Sequence, residues 1–385
     1  MSKNNYIQIV NGNILTPDGW LRGGSVIIKE KKILEVTNSD LPRVGATIVD
    51  AKGQYVVPGF VAFNVFGGGG RSFNECTRDA FDTVVNTHLR HGATTIFPTI
   101  SLSEKNDILK AAKLCEEYVS DSESPVCGLH VVGPYLNPAL SKNLFTIKDF
   151  NPSEYREIIN STSCIKRWDA SPGLQGAYNF ARTLKKHNIL TAITHTDIGY
   201  EAIKGAYIAG FTHAALFYNS MVGFHKKREY KYEGTIESVY LVDDMTVEVV
   251  ADGKHLPPTI LKLVYKLKGV ERTCLVTAAL SYADYNCPIE NDSNIIIDDG
   301  VCKLKDHSSL VGSIATMDTL IKTMVFKADI PLEDAVRMAS ETPAKLMNCW
   351  DRIGSIEHGK DADIVILNKD LDIVSIWQLG KEIHL

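Results

Sequence analysis

Short apolar runs, each followed by a stretch with helical spacing, recur through the middle of this chain. They are Val56-Val-Pro-Gly-Phe-Val, Ala93-Thr-Thr-Ile-Phe-Pro, Val126-Cys-Gly-Leu-His-Val-Val, Ile189-Leu-Thr-Ala-Ile-Thr, Ala214-Ala-Leu-Phe-Tyr, Thr246-Val-Glu-Val-Val and Thr273-Cys-Leu-Val-Thr. Helical patterns at 81–91, 106–119, 176–187 and 200–209 lie between them. Strands joined through helices pair in parallel and are covered on both faces, which is why they read as unbroken apolar runs. The number of such units predicts a (β/α)₈ TIM-like barrel over residues 56–346 in preference to an open sheet. In such a barrel chemistry sits at the C-terminal strand ends, so the residues just after each run are the candidates.

The two ends of the chain have a different texture. Tyr6-Ile-Gln-Ile-Val-Asn-Gly-Asn-Ile-Leu and Gly24-Ser-Val-Ile-Ile-Lys are rich in β-branched residues, with turn chemistry at Asn11-Gly and Pro17-Asp-Gly. Asp363-Ile-Val-Ile-Leu and Leu371-Asp-Ile-Val-Ser-Ile-Trp look alike. Residues 1–55 and 347–385 are therefore expected to build one small β domain together. With 44% apolar and 23% charged residues the chain is an ordinary globular one. A net charge of −5 and the lack of a basic tract argue against nucleic acid and anionic membranes as partners. No apolar run is long enough for a membrane span, and Met1-Ser-Lys-Asn-Asn does not read as a signal peptide. The 8 cysteines are dispersed without a C-x-x-C pair, as in a reduced, cytoplasmic protein.

At the strand ends stand Gly67-Gly-Gly-Gly, His130, His195, His213, the basic cluster 225–231, Asp252 and His255. Taken singly, each has a structural reading: a tight turn, a core histidine or a solvated loop. Together they carry a resemblance. The chain is similar to the N-acetylglucosamine-6-phosphate deacetylases of the amidohydrolase superfamily, nearly end to end. The motifs are Asn11-Gly-x-Ile-Leu-Thr-Pro, Val57-Pro-Gly-Phe with its glycine run, and Gly128-Leu-His-x-x-Gly-Pro-Tyr-Leu-Asn-Pro. They continue with His195-Thr-Asp, Phe217-Tyr-Asn-x-Met, Ala251-Asp-Gly-x-His, Leu275-Val-Thr and Gly354-Ser-Ile-x-x-Gly-Lys-Asp-Ala-Asp.

The resemblance implies a metal-dependent hydrolase barrel with a small β-sandwich built from both termini, and a homodimer. It implies zinc or another divalent ion that activates water, and an aspartate after the last strand that shuttles the proton. Matched position by position, this chain has lost most of that set. The family's Asp-x-His-x-His stands as Ala62-Phe-Asn64-Val-Phe66, its glutamate ligand as Val132, its strand-six histidine as Leu216 and its catalytic aspartate as Ala278. Only His195 remains. Another substrate contact falls near Leu144. Each loss is bracketed by matching neighbours, so slippage of the alignment does not explain it. His130 and His213 are possible substitute ligands. His130, however, lies a rung deeper than Val132, and His213 would face away from Leu216 in an unbroken strand.

Metal ligands need lone pairs, and Val, Leu, Phe and Ala have none to give. Apolar replacement also removes carboxylates that would be costly to bury unpaired. The expectation is a catalytically degenerate member with no cofactor and little or no deacetylase activity. The phosphate side is better kept: by resemblance Asn219, Ser220, Arg228 and His255 would hold an amino-sugar phosphate, the last two reaching across the dimer. A metal-independent isomerase or lyase, or a non-catalytic interaction subunit, are the alternatives. Glu75, Asp197 and Cys127 are open candidates for recruitment.

Overall fold

The computed structural model describes residues 6–39, 41–141, 146–285 and 294–384. Eight parallel strands form one sheet in strict chain order: β1 (Phe60–Val65), β2 (Ala93–Ile100), β3 (Leu129–Val132), β4 (Ile165–Ala170), β5 (Leu190–Ile193), β6 (Phe211–Ala214), β7 (Thr246–Val250) and β8 (Thr273–Val276). The ring closes just past the strand ends, where Ala278 N–H donates to Asn64 O and Phe66 N–H to Ala279 O, both at 2.9 Å. Every residue of β1 and β2 is buried, as a strand covered on both faces requires.

One strand departs from the apolar pattern. β4 alternates Arg167 and Asp169 on its inner face with Trp168 on its outer face. Trp168 packs among Tyr135, Phe150, Tyr155 and Phe180, with ring centroids 5.4 Å from Phe180 and 6.1 Å from Tyr135. Its indole N–H donates to Gly133 O at 2.7 Å. The aromatic face thus anchors the strand from outside and leaves the charged face turned into the barrel.

Two strand expectations shift. The sixth strand is Phe211–Ala214, and residues 215–218 that read as strand form a turn. Asn11-Gly is no turn: it is a bulge inside the strand Tyr6–Thr16, where Asn11 takes a φ of 55° and the register slips. The four glycines fold as a tight hairpin, Gly67–Gly68 against Arg71–Ser72. A Cβ at Gly67 would lie 2.5 Å from Arg71 O.

Both termini supply a second sheet, in which Tyr55–Pro58 lies between Tyr6–Thr16 and Ile364–Leu367. It has its own core of Ile9, Ile14, Val26, Ile28, Val56, Ile364 and Trp377. The chain passes from this sheet into the barrel at Gly59. A further three-stranded sheet, 295–313, follows β8. No helix among the described residues is long and apolar enough to cross a membrane.

Because Phe180 touches Trp168, Tyr135, Phe150 and Tyr155, Phe180→Ala should cost about 3–5 kcal/mol of stability. Urea unfolding followed by tryptophan fluorescence measures this; a midpoint within error of the parent would mean that the cluster does not hold β4.

Candidate functional site: a charged cage at the barrel mouth

The inner face of β4 meets a glutamate from β7. Arg167 Nε and Nη2 donate to Asp169 Oδ1 and Oδ2, each at 2.7 Å, while Nη1 and Nη2 donate to Glu248 Oε2 and Oε1 at 2.5 and 3.0 Å. One guanidinium is therefore bidentate to two carboxylates, and all three side chains are essentially out of contact with water. Its carbon lies 5.2 Å from the centre of the Phe63 ring.

Two imidazoles complete the cage. His130 Nε2 is 3.0 Å from Asp169 Oδ2, and His213 Nε2 is 3.1 Å from Glu248 Oε2. Their other nitrogens meet hydroxyls, Thr99 at 3.1 Å and Thr246 at 2.7 Å. Burial lowers both histidine pKa values, so both are neutral at pH 7. Burial alone would raise the carboxylates; Arg167 overrides it and holds Asp169 and Glu248 below the usual range. The guanidinium is likewise held charged against its own burial, by Asp169 and then Glu248.

The positions matched to the family's ligands lie around this cage. Asn64 Nδ2 donates to Glu248 Oε1 at 2.6 Å, and Leu216 N–H donates to the same oxygen at 3.1 Å. Val132 pairs in register with Asp169, and His130 with Arg167. Ala278 N–H is spent on Asn64 O. Phe66, Leu216 and Ala278 join an apolar cluster with Phe63, Phe97, Cys274 and Val276. His195, at the end of β5, is 5% exposed, with Nδ1 2.9 Å from Thr194 Oγ1. Burial lowers its pKa to about 4, against a smaller opposing pull from Asp169.

Two expectations need correction here. The apolar replacements do not leave the barrel free of charge: two carboxylates remain, one of them in register with Val132, neutralised by Arg167. Nor does His213 face away from Leu216. β6 ends at Ala214 and Leu216 takes a φ of 45°, which breaks the alternation and turns both residues inward. His195 and Ala278 carry the same left-handed backbone, at 45° and 44°.

The residues present do not fit a divalent ion at the matched positions. Phe66, Val132, Leu216 and Ala278 offer no lone pair, Asn64 brings a single neutral amide oxygen, and the two nearby carboxylates are engaged by the guanidinium. Among the described residues no group of three or more His, Cys, Asp and Glu is arranged to hold a metal.

Among the described residues, no hydrogen bond joins the four residues matched to phosphate binding. Asn219 N–H closes a turn onto Leu216 O, and Ser220 O accepts from Thr196 N–H. His255 Nδ1 is 2.7 Å from Asp252 Oδ2, whose other oxygen accepts the Lys254 and His255 amides. Although burial opposes it, the His255 bond keeps the Asp252 carboxyl low. Arg228, φ 57°, stands at the exposed tip of the hairpin formed by His225–Lys227 and Tyr230–Tyr232. Among the described residues it bonds none of the other three. Leu144 lies outside the described residues. Glu75 caps a short helix through Ser72, Asp197 accepts from Asn137, and Cys127 Sγ is 2.9 Å from Arg352 Nη2. A crevice of about 1000 Å³ opens at the opposite end of the barrel, near Lys166, His187 and Thr212, away from the strand ends that carry chemistry.

A parallel eight-stranded barrel with a terminal sheet and a site ringed by the ends of β1, β3, β5, β6 and β8 defines an amidohydrolase-type protein. The chain belongs to the amidohydrolase family, whose model matches residues 55–383. It is 26% identical over 381 residues to the N-acetylglucosamine-6-phosphate deacetylase of Haemophilus influenzae, covering 97% of this chain and 98% of that one. It is 23% identical to an N-acetylgalactosamine-6-phosphate deacetylase from Shewanella, over 86% of this chain and 83% of the other. Among solved structures, the N-acetylglucosamine-6-phosphate deacetylase of Pasteurella multocida superposes with a TM-score of 0.91 at 24% identity, over 99% and 100% of the two chains.

Burial of His195 has a consequence for acid stability. The unfolded chain takes up a proton near pH 6.5, while the fold resists until about pH 4. Stability falls between those values and is unaffected by this group above them. A displacement of that size is worth about 3 kcal/mol. In His195→Gln the loss of stability between pH 7 and pH 4.5 should shrink by up to that amount in urea titrations. An unchanged loss would show that His195 titrates normally.

Proposed function

We propose that this chain is an N-acetylglucosamine-6-phosphate deacetylase homologue, in amino-sugar phosphate metabolism, that has little or no deacetylase activity and binds an amino-sugar phosphate at the barrel mouth. The observation that carries the first part is the donor set: carbon side chains at the matched ligand positions Phe66, Val132 and Leu216 and at the matched aspartate position Ala278, with the neighbouring carboxylates bonded to Arg167. A bound metal lowers the pKa of water from about 15.7 to roughly 7, and a positioned acid–base group adds about 10²- to 10⁴-fold. Loss of both removes most of the acceleration of amide hydrolysis.

Asp252 supports the second part. It accepts from Nδ1 of His255, which leaves Nε2 to meet a phosphate oxygen. The Asn219–Ser220 turn and the Arg228 fork supply further phosphate-binding groups. Arg228, standing exposed on its hairpin, would complete the site of a second copy in a homodimer. Because the relatives include deacetylases of both N-acetylglucosamine and N-acetylgalactosamine 6-phosphates, the sugar is taken as a class. The dispersed thiols fit a cytoplasmic setting.

Elemental analysis of the purified protein, with a thermal-shift titration of N-acetylglucosamine 6-phosphate and an acetate-release assay, tests this reading. The expected result is no stoichiometric metal, no acetate above background and a saturable shift that His255→Ala and Arg228→Ala weaken. Near-stoichiometric zinc or iron with turnover would overturn the first part. Absence of any shift would overturn the second and leave an interaction subunit.

A further inference from the structure

We propose that the barrel holds a cation-binding cage whose resident cation is the Arg167 guanidinium, and that the cage requires the charge of its occupant more than its shape. Asp169 and Glu248 face it from two strands with essentially no exposure to water, and two buried carboxylates stay ionised only beside a compensating cation. Around them His130 and His213 stand at 3.0 and 3.1 Å, and Asn64 is bonded to Glu248 at 2.6 Å.

A second observation points the same way. Asn64 Oδ1 and His130 Nε2 are shielded from solvent yet have no hydrogen-bond partner. His130 Nε2 is close to Asp169 but badly aligned for a bond. An orphaned acceptor beside two carboxylates is the donor chemistry of a cation site. The guanidinium answers the two carboxylates, though not Asn64 Oδ1, with a planar fork that is bidentate on two sides, is always charged and cannot be chelated away. The cage lies where the matched ligand positions 64, 132 and 216 touch Glu248 or pair with Asp169. A side chain thus supplies the positive charge that relatives would take from an ion.

This inference is independent of sugar-phosphate binding, and its test involves no sugar. The full-length chain and Arg167→Ala are melted alone and with millimolar methylguanidinium, N-methylurea (same shape, no charge) or zinc chloride. The parent should not respond. Arg167→Ala should melt several degrees lower and regain much of the loss with methylguanidinium or zinc, and not with N-methylurea. Equal rescue by N-methylurea, or no rescue by either cation, would overturn the proposal. Should Arg167→Ala fail to fold, the combined Arg167→Ala, Asp169→Asn, Glu248→Gln chain provides the readout. It should fold and ignore both cations, because the uncompensated charge is gone. Failure of that chain to fold would overturn the proposal as well.

Discussion

Two carboxylates excluded from water share one guanidinium inside the barrel, and the rest of the site is arranged around that contact. Glu248 alone accepts from Arg167, Asn64, His213 and the Leu216 amide, tying β1, β4, β6 and β7 together. An ion pair this deep is not simply stabilising, because the desolvation of each charge offsets much of the attraction. Removing one partner is the costly event, since it strands a charge. A network of this kind fixes the mutual register of the strands, and it makes Arg167 intolerant of single substitution.

The backbone around the cage keeps the geometry of a site. His195, Leu216 and Ala278 all stand at strand ends with left-handed φ near 45°, a conformation that costs a non-glycine residue of order 1–3 kcal/mol. At Leu216 the bend is used: it aims the amide at Glu248. At Ala278 it places the amide on Asn64 O and helps close the ring. At these positions the side chains of Leu216 and Ala278 are apolar, while their main-chain turns bring the amides into the site's hydrogen bonds.

Much of the fold was legible in the apolar runs, because parallel strands covered on both faces have no room for polarity. β4 was not, since Lys166, Arg167 and Asp169 interrupt any such run. The signal was there in another form. The gap between the runs at 126–132 and 189–194 is roughly twice the usual spacing, and Ile165–Ala170 alternates charge with Trp168. A strand whose polar face points inward reverses the usual rule. Glu248 was equally visible, a lone acid inside Thr-Val-Glu-Val-Val, but it passed as part of a strand. That apolar side chains stand at Phe66, Val132, Leu216 and Ala278, between their flanking motifs, could be read from the sequence. The compensating charges could not, because they come from positions outside those motifs and meet only through the barrel's closure.

The most direct measurement is a crystal structure grown in millimolar zinc, with anomalous diffraction collected at the zinc edge. A barrel whose cation is Arg167 should show the guanidinium bonded to Asp169 and Glu248, with no anomalous peak beside them or beside His195. A peak within bonding distance of either carboxylate, with Arg167 displaced, would contradict it and return the chain to the metal-dependent members of its family.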